Sequence, residues 1–123
     1  MKEARYLRPS LDTPAIYLYR PAVDFRKQAL GLAAIVEQEL GHNPFEGGLY
    51  VFINRHRNKI KCLLWETNGF VLWYKSLAQE KFSWPRQGED VISLTGEQIN
   101  WLLDGYNIWL MQGHKKVQYE SVF

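Results

Sequence analysis

Two short apolar runs flanking Thr67-Asn68-Gly69 constrain this chain most. Lys59 to Trp65 and Phe70 to Lys75 are rich in aliphatic and aromatic residues, and the residues between them favour turns. That pattern predicts a β-hairpin. Side chains alternate along a strand, so the turn length decides which residues share a face. A two-residue Asn68-Gly69 loop places Lys61, Leu63 and Trp65 beside Phe70, Leu72 and Tyr74. A three-residue loop, a type I turn closed by a left-handed Gly69, shifts the faces by one residue. One face then holds Ile60, Cys62, Leu64, Phe70, Leu72 and Tyr74; the other holds Lys59, Lys61, Leu63, Trp65, Val71, Trp73 and Lys75. A half-buried sheet keeps its lysines in water, so the three-residue register is the expectation.

The remaining segments fit around this hairpin. Ala15 to Tyr19 reads as a strand ending at Arg20-Pro21. Asp24 has the character of a helix N-cap, and Phe25, Ala29, Leu32, Ala33, Val36 and Leu40 recur at helical spacing. Gly41 and Pro44 stop that helix. Gly47-Gly48 turns the chain into a strand over Leu49 to Asn54, and Arg55 to Asn58 form a loop before Lys59. Lys81 to Trp84 and Asp90 to Leu94 read as shorter extended segments. Thr95-Gly96-Glu97-Gln98 has the form of a capping box, followed by an apolar face of Ile99, Leu102, Leu103 and Tyr106 and a stop at Gly105. Residues 107–123 read as an edge strand or a frayed terminus. The 123 residues therefore predict one compact α+β domain with its core at about 15–106. Its expected architecture is an antiparallel β-meander of about four to six strands packed with two helices.

Several function classes find no support. A single cysteine, Cys62, cannot form an internal disulfide and fits a reducing, cytoplasmic setting. Met1 to Ser10 are charged and lack the apolar stretch of a secretory signal. The longest apolar run, Leu49 to Ile53, falls far short of the ~20 residues of a membrane helix. His42, His56 and His114 lie far apart with no ligand at metal-binding spacing. Asp24, Glu66 and Asp104 are scattered carboxylates that helix ends and turns explain without catalysis. Neither a phosphate-binding glycine loop nor a nucleophile elbow is present. No catalytic residue, metal or cofactor is expected.

Charge is unevenly distributed. Residues 1–53 balance, residues 87–123 are acidic, and residues 54–86 carry seven Lys or Arg against Glu66 and Glu80. A polyanion would be met there. In the preferred register the hairpin is cationic and carries two indoles. Lysines neutralise phosphates and indoles stack on unpaired bases. The candidate contacts are Arg55, Arg57, Lys59, Lys61 and Lys75 for phosphate, with Trp65 and Trp73 as an aromatic platform. The same residues also suit a packed aromatic layer or a protein interface, with lysine stems running past the rings.

An ordered set of short stretches adds a resemblance. Ile16-Tyr17-Leu18, Asp24-Phe25-Arg26-Lys27, Gly31-Leu32-Ala33-Ala34 and Val51-Phe52-Ile53-Asn54-Arg55 lead to the most specific pieces. These are Lys59-Ile60-Lys61-Cys62-Leu63-Leu64-Trp65, Gly69-Phe70-Val71-Leu72-Trp73-Tyr74-Lys75 and Phe82-Ser83-Trp84-Pro85. Leu102-Leu103-Asp104-Gly105 closes the set. Over about residues 16–106 the chain resembles the TnpB accessory proteins of the insertion-sequence-sixty-six family, which are unrelated to the RNA-guided nuclease of that name. It departs at Arg20-Pro21-Ala22-Val23 and at Glu66-Thr67-Asn68. The resemblance implies a bacterial mobile-element protein that works beside a separate, larger transposase; the basic hairpin adds element-end DNA as a second candidate partner. It transfers no catalytic residue. The alternative is a protein-interaction module that bridges transposase subunits without touching DNA.

Overall fold

Residues 15–110 are described by a computed structural model. The readings for Met1 to Ser10 and for positions 111–123 of the tail lie outside those residues. Within the described part of the tail, positions 108–110 are helical and Ile108 is buried, so this stretch is neither an edge strand nor frayed.

The first strand, β1 (Ile16–Tyr19), leads through an irregular segment to α1 (Ala29–Ile35), which continues as a π-helical turn over Val36–Leu40. β2 (Leu49–Ile53), β3 (Lys59–Glu66), β4 (Gly69–Ser76) and β5 (Val91–Leu94) follow, and then α2 (Gly96–Leu103). The sheet order is β4-β3-β2-β1-β5. The expected meander is present as β2-β3-β4, two antiparallel pairs in succession. β5 runs antiparallel to β1, while β1 and β2 are parallel. A parallel pair needs a crossover, and α1 supplies it. The result is a single compact α+β domain with a mostly antiparallel sheet of five strands.

A helix covers each face of the sheet. On one side Leu32, Ala33 and Val36 of α1 pack on Tyr19, Tyr50, Phe52 and Leu63. On the other, Ile99, Leu102 and Leu103 of α2 join Phe82 and Trp84 over Leu18, Val51, Ile53, Ile60 and Cys62. β2 is buried on both faces, which explains its unbroken apolar run. The core continues past residue 106: Ile108 is buried and the Trp109 indole N–H donates to the Ser83 carbonyl at 2.8 Å.

The local signals mark several boundaries. Thr95 caps α2 with the full reciprocal pair, its hydroxyl accepting from the Gln98 amide and the Gln98 side chain accepting from the Thr95 amide. Gly41, at φ 72°, ends the π-helical turn in the left-handed conformation. Lys81 to Trp84 form no strand.

Two expectations are corrected. The first helix begins at Ala29, and Asp24 is not its cap: the Asp24 carboxylate accepts from the Arg26 amide at 2.9 Å within a separate turn. The three-residue hairpin register is also wrong. Glu66 pairs with Gly69 and Trp65 with Phe70, leaving a two-residue Thr67-Asn68 loop. Thr67, at φ 48°, takes the positive backbone angle, while Gly69 remains in the strand. Lys59, Lys61, Leu63 and Trp65 therefore share the α1 face with Phe70, Leu72 and Tyr74. Trp73 and Lys75 lie on the α2 face with Ile60 and Cys62.

Candidate nucleic-acid interface

The register change disperses the expected lysine and indole face. Trp65 sits in an aromatic cluster, edge-on to Phe45 at 4.9 Å and to Phe70 at 5.0 Å. Trp73 packs against the α2-side core. Lys75 donates from Nζ to the Leu103 carbonyl at 2.8 Å, a cation at the C-terminus of α2 where the helix dipole favours it.

Lys61 is the largest departure. It is only 5% exposed, and its Nζ donates to the Phe25 and Lys27 carbonyls, both at 2.9 Å. The Phe25 ring lies 4.9 Å from the ammonium. Burial, and then the neighbouring Lys59 charge, hold its pKa below the ordinary lysine value. Most of this ammonium is used inside the domain, where it holds the 25–27 segment against β3.

Arg55, Arg57 and Lys59 fare differently. They lie at or beside the β2–β3 loop, which is built on the buried Asn54. The Asn54 side-chain oxygen accepts from the Asn58 and Lys59 amides at 3.1 and 3.0 Å. Its amide nitrogen donates to the Asn58 side chain at 2.7 Å. This scaffold leaves Arg55 and His56 exposed and Arg57 and Lys59 half-exposed. None of Arg55, Arg57 and Lys59 has a carboxylate partner among the described residues.

The topology gathers more cations at this end of the sheet. β1 and β2 run parallel, so the segments after both strands emerge together. The Val23 amide donates to the Ile53 carbonyl at 2.9 Å, and the Phe82 amide to the Arg57 carbonyl at 2.7 Å. These contacts place Arg26, Lys27 and Lys81 near the β2–β3 loop. With Arg20, Lys61, Lys75 and Arg86, all ten Lys and Arg of residues 15–110 belong to this half of the fold. Five carboxylates (Asp24, Glu80, Glu89, Asp90 and Asp104) share that half, leaving a net +5. The opposite end holds Glu46, Glu66 and Glu97 and, among the described residues, no Lys or Arg. Glu37 and Glu39 lie between, on the π-helical turn; burial, and then the nearby Glu39, raise the Tyr19 pKa.

Besides Lys61 and Lys75, two more of the cations are tied down. Arg20 pairs with Asp90 at 2.8 Å and also donates to the Glu89 carbonyl. Arg26 pairs with Asp24 at 2.6 Å, and its guanidinium lowers the Asp24 pKa to about 2. The positioning role of Asn54 escapes residue chemistry alone. So does the recruitment of Arg26 and Lys27, which the parallel β1–β2 pairing sets, and of Lys81, which the Phe82–Arg57 contact sets.

Among the described residues no group of His, Cys, Asp and Glu has the geometry to hold a metal ion. No helix among them is long and apolar enough to cross a membrane.

The fold and its polarised surface define a small α+β domain with one cationic end. The sequence profile of the family described as IS66 Orf2 like protein matches residues 14–113, and the chain belongs to that family of insertion-sequence accessory proteins. Two proteins of Sinorhizobium fredii (strain NBRC 101917 / NGR234) are similar. The uncharacterized protein y4jC is 29% identical over 96 residues, covering 78% of this chain and 81% of its own. The uncharacterized protein y4hO is 29% identical over 97 residues, covering 79% and 84%. No solved structure matches.

Proposed function

We propose that this chain is a non-catalytic accessory protein of transposition that binds element-end DNA through the cationic end of its sheet. Arg55, Arg57 and Lys59 are the principal phosphate contacts, flanked by Lys27 and Lys81. The observation that carries the reading is the separation of charge: the described Lys and Arg gather toward one end of the sheet, while the other end carries Glu46, Glu66 and Glu97. A polyanion is drawn to one end and repelled from the other, so the field orients the protein as well as attracting it. The cytoplasm is the fitting compartment, since the single cysteine, Cys62, is buried and needs no disulfide partner.

A gel-shift titration with element-end DNA at several salt concentrations tests this. Binding at low salt that weakens steeply as salt rises supports it. No binding at low salt overturns it.

A second reading has its own observation. Phe45 is 50% exposed and caps the Trp65–Phe70 cluster near the acidic end. An exposed aromatic backed by others suits an anchor for a protein partner, here the transposase. Co-purification with the transposase that Phe45→Ala abolishes would favour this bridge.

A further inference from the structure

The cationic end contains a cleft of about 500 Å³ lined by Phe25, Gln28, Lys59, Lys61, Leu72 and Tyr74. Three features set it apart from the surrounding surface. Tyr74 is 50% exposed, an aromatic ring open to solvent beside Lys59. The Phe25 ring stands 6.4 Å from it, tilted by 59°. The third feature is Lys61. A lysine ammonium has three N–H donors, and two of them go to the Phe25 and Lys27 carbonyls. Among the described residues the third finds no hydrogen-bond acceptor and no carboxylate balances the charge; the ammonium lies over the Phe25 ring at 4.9 Å and the Tyr74 ring at 5.7 Å instead. A buried cation with a spare donor is an incomplete site, because burying charge without a counter-ion is costly.

We infer that this cleft takes an unpaired nucleotide of single-stranded DNA. The base stacks on Tyr74, a keto oxygen of the base accepts from the Lys61 ammonium, and Lys59 meets the adjoining phosphate. Stacking on an aromatic ring is open to every base, while the keto oxygen favours thymine, guanine and cytosine over adenine. The paired bases of a duplex are stacked on each other and cannot offer a face to Tyr74, so the cleft distinguishes opened DNA from duplex. This rests on the DNA-binding reading above and names its substrate more narrowly.

The test measures binding of the full chain to an oligothymidylate and to a duplex of equal length at matched salt, by fluorescence anisotropy. The single strand should bind more tightly. Tyr74→Ala should weaken single-strand binding by about 5- to 150-fold, the range for one stacked base. Tyr74→Phe should restore it, and duplex affinity should stay within about twofold under both changes. Tyr74 is half exposed, so these variants should fold, and circular dichroism would confirm it. Photocrosslinking of 5-iodouracil-substituted oligonucleotide should map to Tyr74 or Phe25. If the duplex binds equally well and Tyr74→Ala changes neither affinity, the cleft assignment fails while the cationic end stands. If neither DNA binds at low salt, both readings fail.

Discussion

Replacing Lys61 by methionine separates a structural lysine from a purely surface one. The side chain crosses from β3 to the 25–27 segment and ends on two backbone carbonyls at 2.9 Å. Hydrogen bonds from a charged donor contribute about 1.5–3 kcal/mol each, so the pair supplies ~3–6 kcal/mol before desolvation. Stripping water from an ammonium costs several kcal/mol, and methionine avoids that cost while keeping much of the stem's packing. The balance is a net loss of about 1–3 kcal/mol for Lys61→Met. For a chain of this size that lowers Tm by roughly 4–12 °C. Urea unfolding at neutral pH measures it, and amide exchange should quicken in residues 25–28. There is a pH signature as well. Burial lowers the Lys61 pKa in the folded state. Between that value and the ordinary lysine value the unfolded chain holds more protons, so this residue makes stability rise with pH across that window. Lys61→Met should remove that rise. A variant as stable as the parent, with the same pH dependence, would refute the strut.

Other consequences follow from single residues. Thr67 has φ 48° and is exposed, whereas Gly69 has no positive φ and open space where a Cβ would go. Thr67→Gly should therefore stabilise by about 0.5–1 kcal/mol and Gly69→Ala should change little in urea unfolding; the reverse ranking would restore the three-residue turn. Thr95→Ala should cost about 1 kcal/mol by the same assay, through loss of the capping box. The Asp24 carboxyl, depressed to about 2 by Arg26, should titrate near that value by NMR and move up toward the usual carboxylate value in Arg26→Ala. The stabilisation from that pair is complete above the unfolded carboxylate pKa and is lost as pH falls through about 2.

The elements were legible where a local interaction defines them. The Thr95 capping box, the left-handed Gly41 and the buried run of β2 need only neighbouring residues. The start of α1 did not follow from local pattern, because Lys61 takes the Phe25 and Lys27 carbonyls from 36 and 34 residues away. Those carbonyls are drawn off the path a longer helix would use, and the first turn forms only at Gln28 and beyond. The hairpin register failed for a different reason. Sorting lysines toward water assumes one solvated face, but helices cover both faces of this sheet. Lys61 and Lys75 reach backbone carbonyls through those layers instead. The basic middle of the chain was visible as composition, and Arg55, Arg57 and Lys59 do stand together at the sheet end. Lys27 and Lys81 join them only through the parallel β1–β2 crossover and the Phe82–Arg57 contact, neither of which local spacing reveals.

The most direct test of a DNA-binding cationic end is the salt dependence of element-end DNA affinity across charge variants. Each phosphate contact contributes about 0.9 to the slope of log affinity against log salt. Arg55→Ala, Arg57→Ala and Lys59→Ala should each flatten that slope by about this amount. Glu66→Gln, at the acidic end, should leave it unchanged. Slopes that stay the same in all three basic variants, or a parent chain that binds no DNA at low salt, would contradict the account.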